Sequence, residues 1–513
     1  MQRKTWTLIA VCLATFMLLL DITIVNVALP DIKTDLDASF SDVQWVVDAY
    51  ALMLAALLLT AGSLADLLGR RRVFVFGVAC FSVASLLCAL SSGALTLILA
   101  RGAQGIGGAA MFATSLALLA QEFHGRERGT AFGIWGATTG AAVAIGPLVG
   151  GALTSALGWP SIFYLNLPIG VATIVMTLRH VPDSRDEEAS GIDWAGLVTF
   201  SAALLLLVFA LIQGNDKGWA STQIVGMLVG AAVLLVAFLV IERRQARPMF
   251  DLELFRKRTF SGVSIAAFAL SASMFAMFLY ITLYVQTILG YGPLATGLRF
   301  LPLTVLSFFA AAAAGKLTAR LPARAMLCAG LVLVGIGLLL MDTLHAGSDW
   351  TALLPGFIVS GLGIGLTNPS LANAAIGVVA PARSGMASGI NSTFRQVGIA
   401  TGIAGLGAIF QTQLAHRLTD SLAGTPGAGR ADELAHAVSA GGGPSVIASA
   451  PAAARPALKH AVDAAFSGGL DDLFLVGAVI AFAGALLALA LVRRSDFVVH
   501  GAPPVAAEPA AAA

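Results

Sequence analysis

The sequence predicts an all-α integral membrane protein with fourteen transmembrane helices in a 6+2+6 arrangement and both termini cytoplasmic. Three observations predict it. The 513 residues are 58% hydrophobic and only 11% charged, with a mean hydropathy of +0.87, whereas soluble domains carry about 25% charged residues. Apolar runs of bilayer length, about 20 residues, recur along the chain. Basic residues, finally, collect on alternate connections between those runs.

The first six spans lie at about 6–29, 45–65, 73–92, 96–120, 130–155 and 161–179. Two more follow at 194–213 and 221–241, and the last six at 260–285, 296–315, 325–343, 351–375, 386–411 and 470–492. Glycine and charge punctuate the connections, as in Gly69-Arg70-Arg71-Arg72. GSLADLLGRRR after the second span is echoed by GKLTARLPAR after the tenth, which points to two related six-helix blocks. The blocks are 1–180 and 246–495, with an inserted helix pair at 181–245. Parallel halves around a central site are a recurring transporter plan. The outer segment 412–468, rich in Ala, Gly, Pro and Ser, reads as flexible with one short helix near 456–466. The tail 496–513 reads as disordered. MQRKTW and the apolar run behind it imitate a signal peptide but lack a small-x-small cleavage site before Asp21, and so read as a retained first helix.

Placing the N-terminus inside tests the layout. The cytoplasmic segments then hold Arg3, Lys4, Arg70, Arg71, Arg72, Arg126, Arg128, Arg179, Arg185, six residues from Arg243 to Arg258, Lys316, Arg320, Arg324, Arg383, Arg493 and Arg494. These are 21 of the 30 basic residues, against six on the outer segments. Arg101, Arg299 and Arg395 fall within spans. The four cysteines all lie in apolar runs without metal-ligand spacing, which excludes a disulfide framework or a zinc site. No phosphate-binding loop is found, which disfavours ATP-driven transport.

Asp21, in LDITIVNVALP, sits at membrane depth, where a carboxylate costs at least ~2.5 kcal/mol and is a functional hypothesis by default. A protonated Asp bonded to a neighbouring helix is the structural alternative. Arg101, in LILARGAQGIGG, needs a partner at similar depth, and Asp21 is a candidate; snorkelling to the headgroups is the alternative. In GSLADLLGRRR, Gly62 and Gly69 allow close helix approach and a tight turn. Asp66 can pair with Arg70, beside Arg71, as a latch on the cytoplasmic side. In GIWGATTGAAVAIGPLVGG, Gly136 and Gly140 are four apart, as are Gly146 and Gly150. That spacing lines a face with small residues, Gly151 follows, and Pro147 bends the helix.

At these stretches the chain resembles the major facilitator superfamily, and more narrowly its fourteen-helix drug:proton antiporter branch of EmrB/QacA type. IFYLNLPIG (162–170), LYVQTILGYGPLATGLRFLP (283–302) and SGMASGINSTFRQVGIATG (384–402) are further family-like pieces, so the resemblance covers all but the outer loop and tail. It implies that Asp21 binds a proton or cation, that Arg101 couples to it, and that Asp66 and Arg70 gate the cytoplasmic side. It also implies that Gly146, Pro147, Gly150 and Gly151 form a hinge or leak-tight seam associated with exporters. There are two departures. Leu67 stands where the family usually has a basic residue, which would remove one latch contact. Trp159-Pro160-Ser161 replaces the usual Trp-Arg-Trp on the outer face.

Candidate pocket residues are Asn26, Met274, Phe278, Tyr284, Gln286, Asn368, Asn391 and Arg395. Met and aromatics suit adaptable apolar binding, although such a stripe also serves interhelical packing. The reading is a monomeric, multi-pass protein of a bacterial inner membrane that exports small amphipathic or cationic compounds by alternating access. Its energy source would be the proton gradient, with no cofactor, metal, catalytic residue or nucleic-acid partner. A dedicated exporter of one self-made metabolite is the alternative, and a membrane sensor or enzyme is a third reading without a supporting constellation.

Overall fold

The computed structural model describes residues 3–185, 193–245, 250–318, 320–380, 383–422, 430–439 and 441–497. Its elements are α1 (Arg3–Asp35), α2 (Phe40–Leu68), α3 (Arg70–Ala89), α4 (Ala94–Glu122), α5 (Gly125–Leu157), α6 (Pro160–Tyr164), α7 (Asn166–His180), α8 (Trp194–Lys217) and α9 (Thr222–Arg244). They continue with α10 (Arg258–Leu270), α11 (Ala276–Leu283), α12 (Pro293–Leu317), α13 (Ala323–Met341), α14 (Leu354–Gly377), α15 (Ser384–Ser421), α16 (Ala431–Ser439), α17 (Gly443–Ser449) and α18 (Arg455–Leu491). No strand occurs among the described residues.

Thirteen stretches are long and apolar enough to cross a bilayer among the described residues. α5 supplies the fourteenth: it is 33 residues long and carries no charge after Arg128. The sixth span is two helices, α6 and α7, broken at Leu165. The ninth runs from α10 through a π-turn at Ser271–Phe275 into α11 and a second π-turn at Tyr284–Ile288. Local chemistry sets the ends. Ser39 and Asp42 form a reciprocal capping box on α2, and Gly69 (φ 109°) makes the turn into α3.

One buried core joins α1 to α7, with Phe74, Phe81, Phe132 and Trp135. A larger one joins α10 to α18, with Met274, Tyr284, Phe357, Phe410 and Phe466. The two sets of helices meet along two seams, α5 against α12 and α2 against α15. The α8–α9 hairpin lies over the second seam, with α8 against both α2 and α15.

The segment 412–468 is a correction. Where it is described it is mostly helical: α15 continues to Ser421, α18 starts at Arg455, and α16 and α17 lie between. Ala431, Ala435 and Val438 bury their side chains in the larger core, which orders a composition that reads as low complexity. The predicted tail lies outside the described residues from 498 onward.

Candidate functional site

Five helices converge on Asp21. Arg101 of α4 donates from Nη1 to Asp21 Oδ2 at 2.5 Å. Gln104, one turn further along α4, donates from Nε2 to Asp21 Oδ1 at 2.8 Å, and Asn166 Nδ2, at the start of α7, reaches the same oxygen at 2.9 Å. Ser85 Oγ of α3 accepts from both amides, at 2.7 and 3.0 Å. All five side chains are at most 1% exposed. The guanidinium has further partners: Nε donates to the Val46 carbonyl of α2 at 3.0 Å, Nη1 to Gln104 Oε1 at 2.6 Å, and Cζ lies 4.3 Å over the Tyr50 ring. A buried ion pair is tolerable only when neighbouring dipoles satisfy its remaining lone pairs and protons, and these neighbours do so. The break between α6 and α7 is what places Asn166 there.

A second cluster lies on the side of the bundle where α1 starts and α18 ends, hereafter the terminal face. Asp66, near the end of α2, accepts from Arg70 Nε and Nη2 at 2.9 and 2.8 Å. It also accepts the Gly385 and Met386 amides at 3.0 and 2.8 Å, so its carboxylate caps the N-terminus of α15. Arg71 donates to the Val181 carbonyl at 3.3 Å, and Arg72 pairs with Asp183 at 3.0 Å. Gly69 is needed here for its φ, and a Cβ would also sit 2.7 Å from Asp183 Oδ1 and displace the carboxylate that pairs Arg72.

Backbone-to-backbone contacts complete the closure. A Cβ on Gly62 would strike the Gly385 carbonyl, and one on Gly389 would lie 2.9 Å from the Leu58 carbonyl. Across the other seam, Gly129 and Gly133 face Gly315, with 3.0 Å between a Gly133 Cβ and the Gly315 Cα. Away from the terminal face the approach loosens, and a Cβ on Gly140 would clear Ser307 and Thr304 by 3.8 Å.

The family model of the Major Facilitator Superfamily matches residues 11–403. The chain is 38% identical over 422 residues to the multidrug resistance protein Stp of Mycobacterium tuberculosis, covering 82% of this chain and 78% of that one. The chain belongs to the Major Facilitator Superfamily. Other relatives are the multidrug efflux pump LfrA of Mycolicibacterium smegmatis (32% identity, 96% of this chain and 97% of the other) and the tetracenomycin C resistance and export protein of Streptomyces glaucescens (32%, 95% and 92%). These place it among the drug-efflux members. The structure of the proton:xylose symporter XylE superimposes with a TM-score of 0.64 at 12% identity, covering 96% of each chain, and so shares the fold.

Within this superfamily member the predicted residues divide. The structure brings Asp21 and Arg101 together, as it does Asp66 and Arg70. The two glycine pairs of α5 do not share one face. A Cβ on Gly136 would lie 3.1 Å from Pro369 and Gly140 looks toward α12, whereas Gly146 and Gly150 seat Thr23 and Ile24 of α1, and a Cβ on Gly151 would meet nothing within 4 Å. Ten residues separate Gly136 from Gly146, which is not a whole number of helical turns. The Pro147 side chain lies outside the described residues.

The pocket residues divide likewise. Met274 and Tyr284 are core residues, 0% and 1% exposed, in the cluster that joins α10 to α18, and the Tyr284 ring lies against Phe466 of α18. Phe278 stacks between Phe275 and Phe300. Asn368 and Asn391 are buried with Asn368 Oδ1 and Asn391 Nδ2 unbonded. Asn26 is exposed, Gln286 is half-buried, and Arg395 lies 5.7 Å over the Phe275 ring without an acidic partner among the described residues. Arg299 is sandwiched by Tyr291 and Trp350. On the face opposite the terminal face Trp159 Nε1 donates to Asp35 Oδ2 at 3.0 Å, so Trp159 makes a contact there despite the departure from the family pattern. Gln104, Asn166, Ser85 and Tyr50 were not among the predicted site residues. Gln104 and Asn166 stood inside quoted motifs, as amides in apolar spans.

Proposed function

We propose that the protein is a proton-coupled efflux antiporter for small amphipathic compounds, working by alternating access. The Asp21–Arg101 pair is the observation that carries this reading. Asp21 is a titratable group sealed among α1–α7, and its counter-ion already has other partners. When a proton neutralises Asp21, the guanidinium retains the Val46 carbonyl, Gln104 Oε1 and the Tyr50 face, so the pair can part without stranding a bare cation. Gln104 and Asn166 keep their existing bonds to Ser85 when they release Asp21. The helices meeting at this point thereby acquire two arrangements that differ by one proton.

The division into blocks 1–180 and 246–495 around the pair 181–245 belongs to this reading. It is supported by the two cores and two seams. The terminal face is cytoplasmic, a placement supported by the 21 basic residues on that side. Closure of that face through Asp66 and the glycines supports an outward-facing conformation. Each charge moved across the membrane is worth ~2.3 kcal/mol per 100 mV, which is enough to drive export. The relative named for tetracenomycin C export favours a second reading, one self-made cargo with the same mechanism.

Ethidium efflux from everted vesicles tests the proposal, for the wild type and Asp21→Asn, with and without an uncoupler. Uncoupler-sensitive efflux that is lost in Asp21→Asn is the expected result. A variant that pumps like the wild type would remove Asp21 from coupling. A wild type that moves no ethidium would favour the narrow cargo.

A further inference from the structure

Glu242, near the end of α9, is a carboxylate without any evident support. It is 3% exposed, and neither oxygen has a hydrogen bond, although the Phe250 amide approaches it. The charged groups that face it are both acids, Asp193 and Asp251. Asp193 caps α8: its Oδ1 accepts the Gly196 amide at 2.8 Å and Gln245 Nε2 at 3.0 Å, while its Oδ2 is buried and unbonded. That free oxygen and Glu242 Oε1 crowd the same space, both within 2.9 Å of where a Gly196 Cβ would stand. Phe200, Phe238 and Phe250 wall the site, with ring centroids 4.9 to 6.3 Å apart. Arg243 and Arg244, next on α9, are exposed and turned away. Arg383 faces Asp251, which it pairs at 2.6 Å, so among the described residues Glu242 has no counter-charge. A carboxylate buried without a hydrogen bond, behind an aromatic wall and beside a second acid, is a place for a proton.

We propose that Glu242 and Asp193 form a second proton-binding site, separate from Asp21, that reads the pH on the terminal face and biases the gate there. That this face is cytoplasmic rests on the orientation proposed above. The connection to the gate is short. Phe250 packs on Phe238 beside the pair, and the next residue, Asp251, donates its amide to Met386 Sδ at 3.4 Å and holds Arg383. Met386 and Gly385 carry the amides that Asp66 grips. With the proton in place, α9 lies flat on α8 and segment 250–251 buttresses the start of α15. Loss of the proton puts two like charges together, drives the end of α9 from α8 and withdraws the buttress. An alkaline cytoplasm would therefore loosen the closed gate, and an acidic one would hold it shut.

Infrared titration of the full-length protein in lipid tests the site without reference to transport or orientation. The wild type is expected to show a protonated-carboxyl band that bleaches as pH rises, absent in Glu242→Gln and retained in Asp21→Asn. Asp193→Asn, which leaves Glu242 in place, should move the midpoint of that band down by a pH unit or more, and it serves as the test should Glu242→Gln not fold. An unchanged band in Glu242→Gln overturns the site. Maleimide labelling of Ser388→Cys, at a fully buried position of α15 next to Gly389, with the four native cysteines replaced by serine and Asp21→Asn present, reads the gate. Labelling that accelerates with pH, and loses that dependence when Glu242→Gln is added, supports the coupling. The same pH dependence with or without Glu242→Gln overturns it.

Discussion

At the scale of single residues, the Asp21 cluster shows why a buried ion pair needs its neutral neighbours. Arg101→Met strands Asp21 and should cost about 3–5 kcal/mol of stability, measurable as lost thermal stability of the detergent-solubilised protein. Adding Asp21→Asn should recover part of that loss while efflux stays absent. Asp21 and Arg101 were legible in the sequence because single charges interrupt long apolar runs. Gln104 and Asn166 were legible in principle by the same rule. Ser85 and Tyr50 were not, since hydroxyls and aromatics are ordinary in membrane helices and only packing reveals what they face. Met274 and Tyr284 show the same limit: their type suits a binding site, and only the structure shows that they are buried in the larger core.

At the scale of elements, the two seams are closed by glycine. Gly62→Val should overpack α2 against α15 by about 1–3 kcal/mol, enough to shift the gate toward the open state roughly fivefold or more. Faster labelling of a cysteine at Ser388 would report it. The C-terminal segment supplies a separate test. Asp496 Oδ2 accepts the Thr259 amide at 3.1 Å and so caps α10. The bond to Thr259 holds the Asp496 carboxyl below the usual carboxylate range. A depressed value in the fold means that the cap stabilises above the unfolded value of about 3.9 and is lost as pH falls through the folded one. Asp496→Ala should therefore lower stability by about 1 kcal/mol at neutral pH, and the difference should vanish in acid below that window. Spans and their order were legible because bilayer thickness imposes length and hydropathy. The π-turns flanking α11 were not, because they arise from packing. α16 and α17 were hidden by an alanine- and glycine-rich composition that fits a loop as well as a short helix.

At the scale of the molecule, the α8–α9 hairpin must travel with one side when the seams open. Its ties to the α10–α18 side are at both ends: Asn215 Nδ2 donates to the Ala404 carbonyl at 3.2 Å, and Phe200 and Phe238 pack with Phe250 and its neighbours. Its ties to α2 are the Thr60–Ser201 hydroxyl bond at 2.9 Å and apolar contacts around Trp45 and Phe209. The hairpin should therefore follow α15. A disulfide from Thr60→Cys and Ser201→Cys should arrest efflux until reduced, whereas one from Asn215→Cys and Ala404→Cys should leave it running. The fold was legible at this scale through the echoed loops and the charge alternation, but which helices would touch across the seams was not. The glycine seam also bears on how such a protein changes over generations. Because closure depends on the absence of side chains at Gly62, Gly133, Gly315 and Gly389, almost any replacement there should be selected against, while residues such as Asn26, Gln286 and Arg395 take no part in it. Changes at such positions should then accumulate from one lineage to the next without disturbing the moving parts.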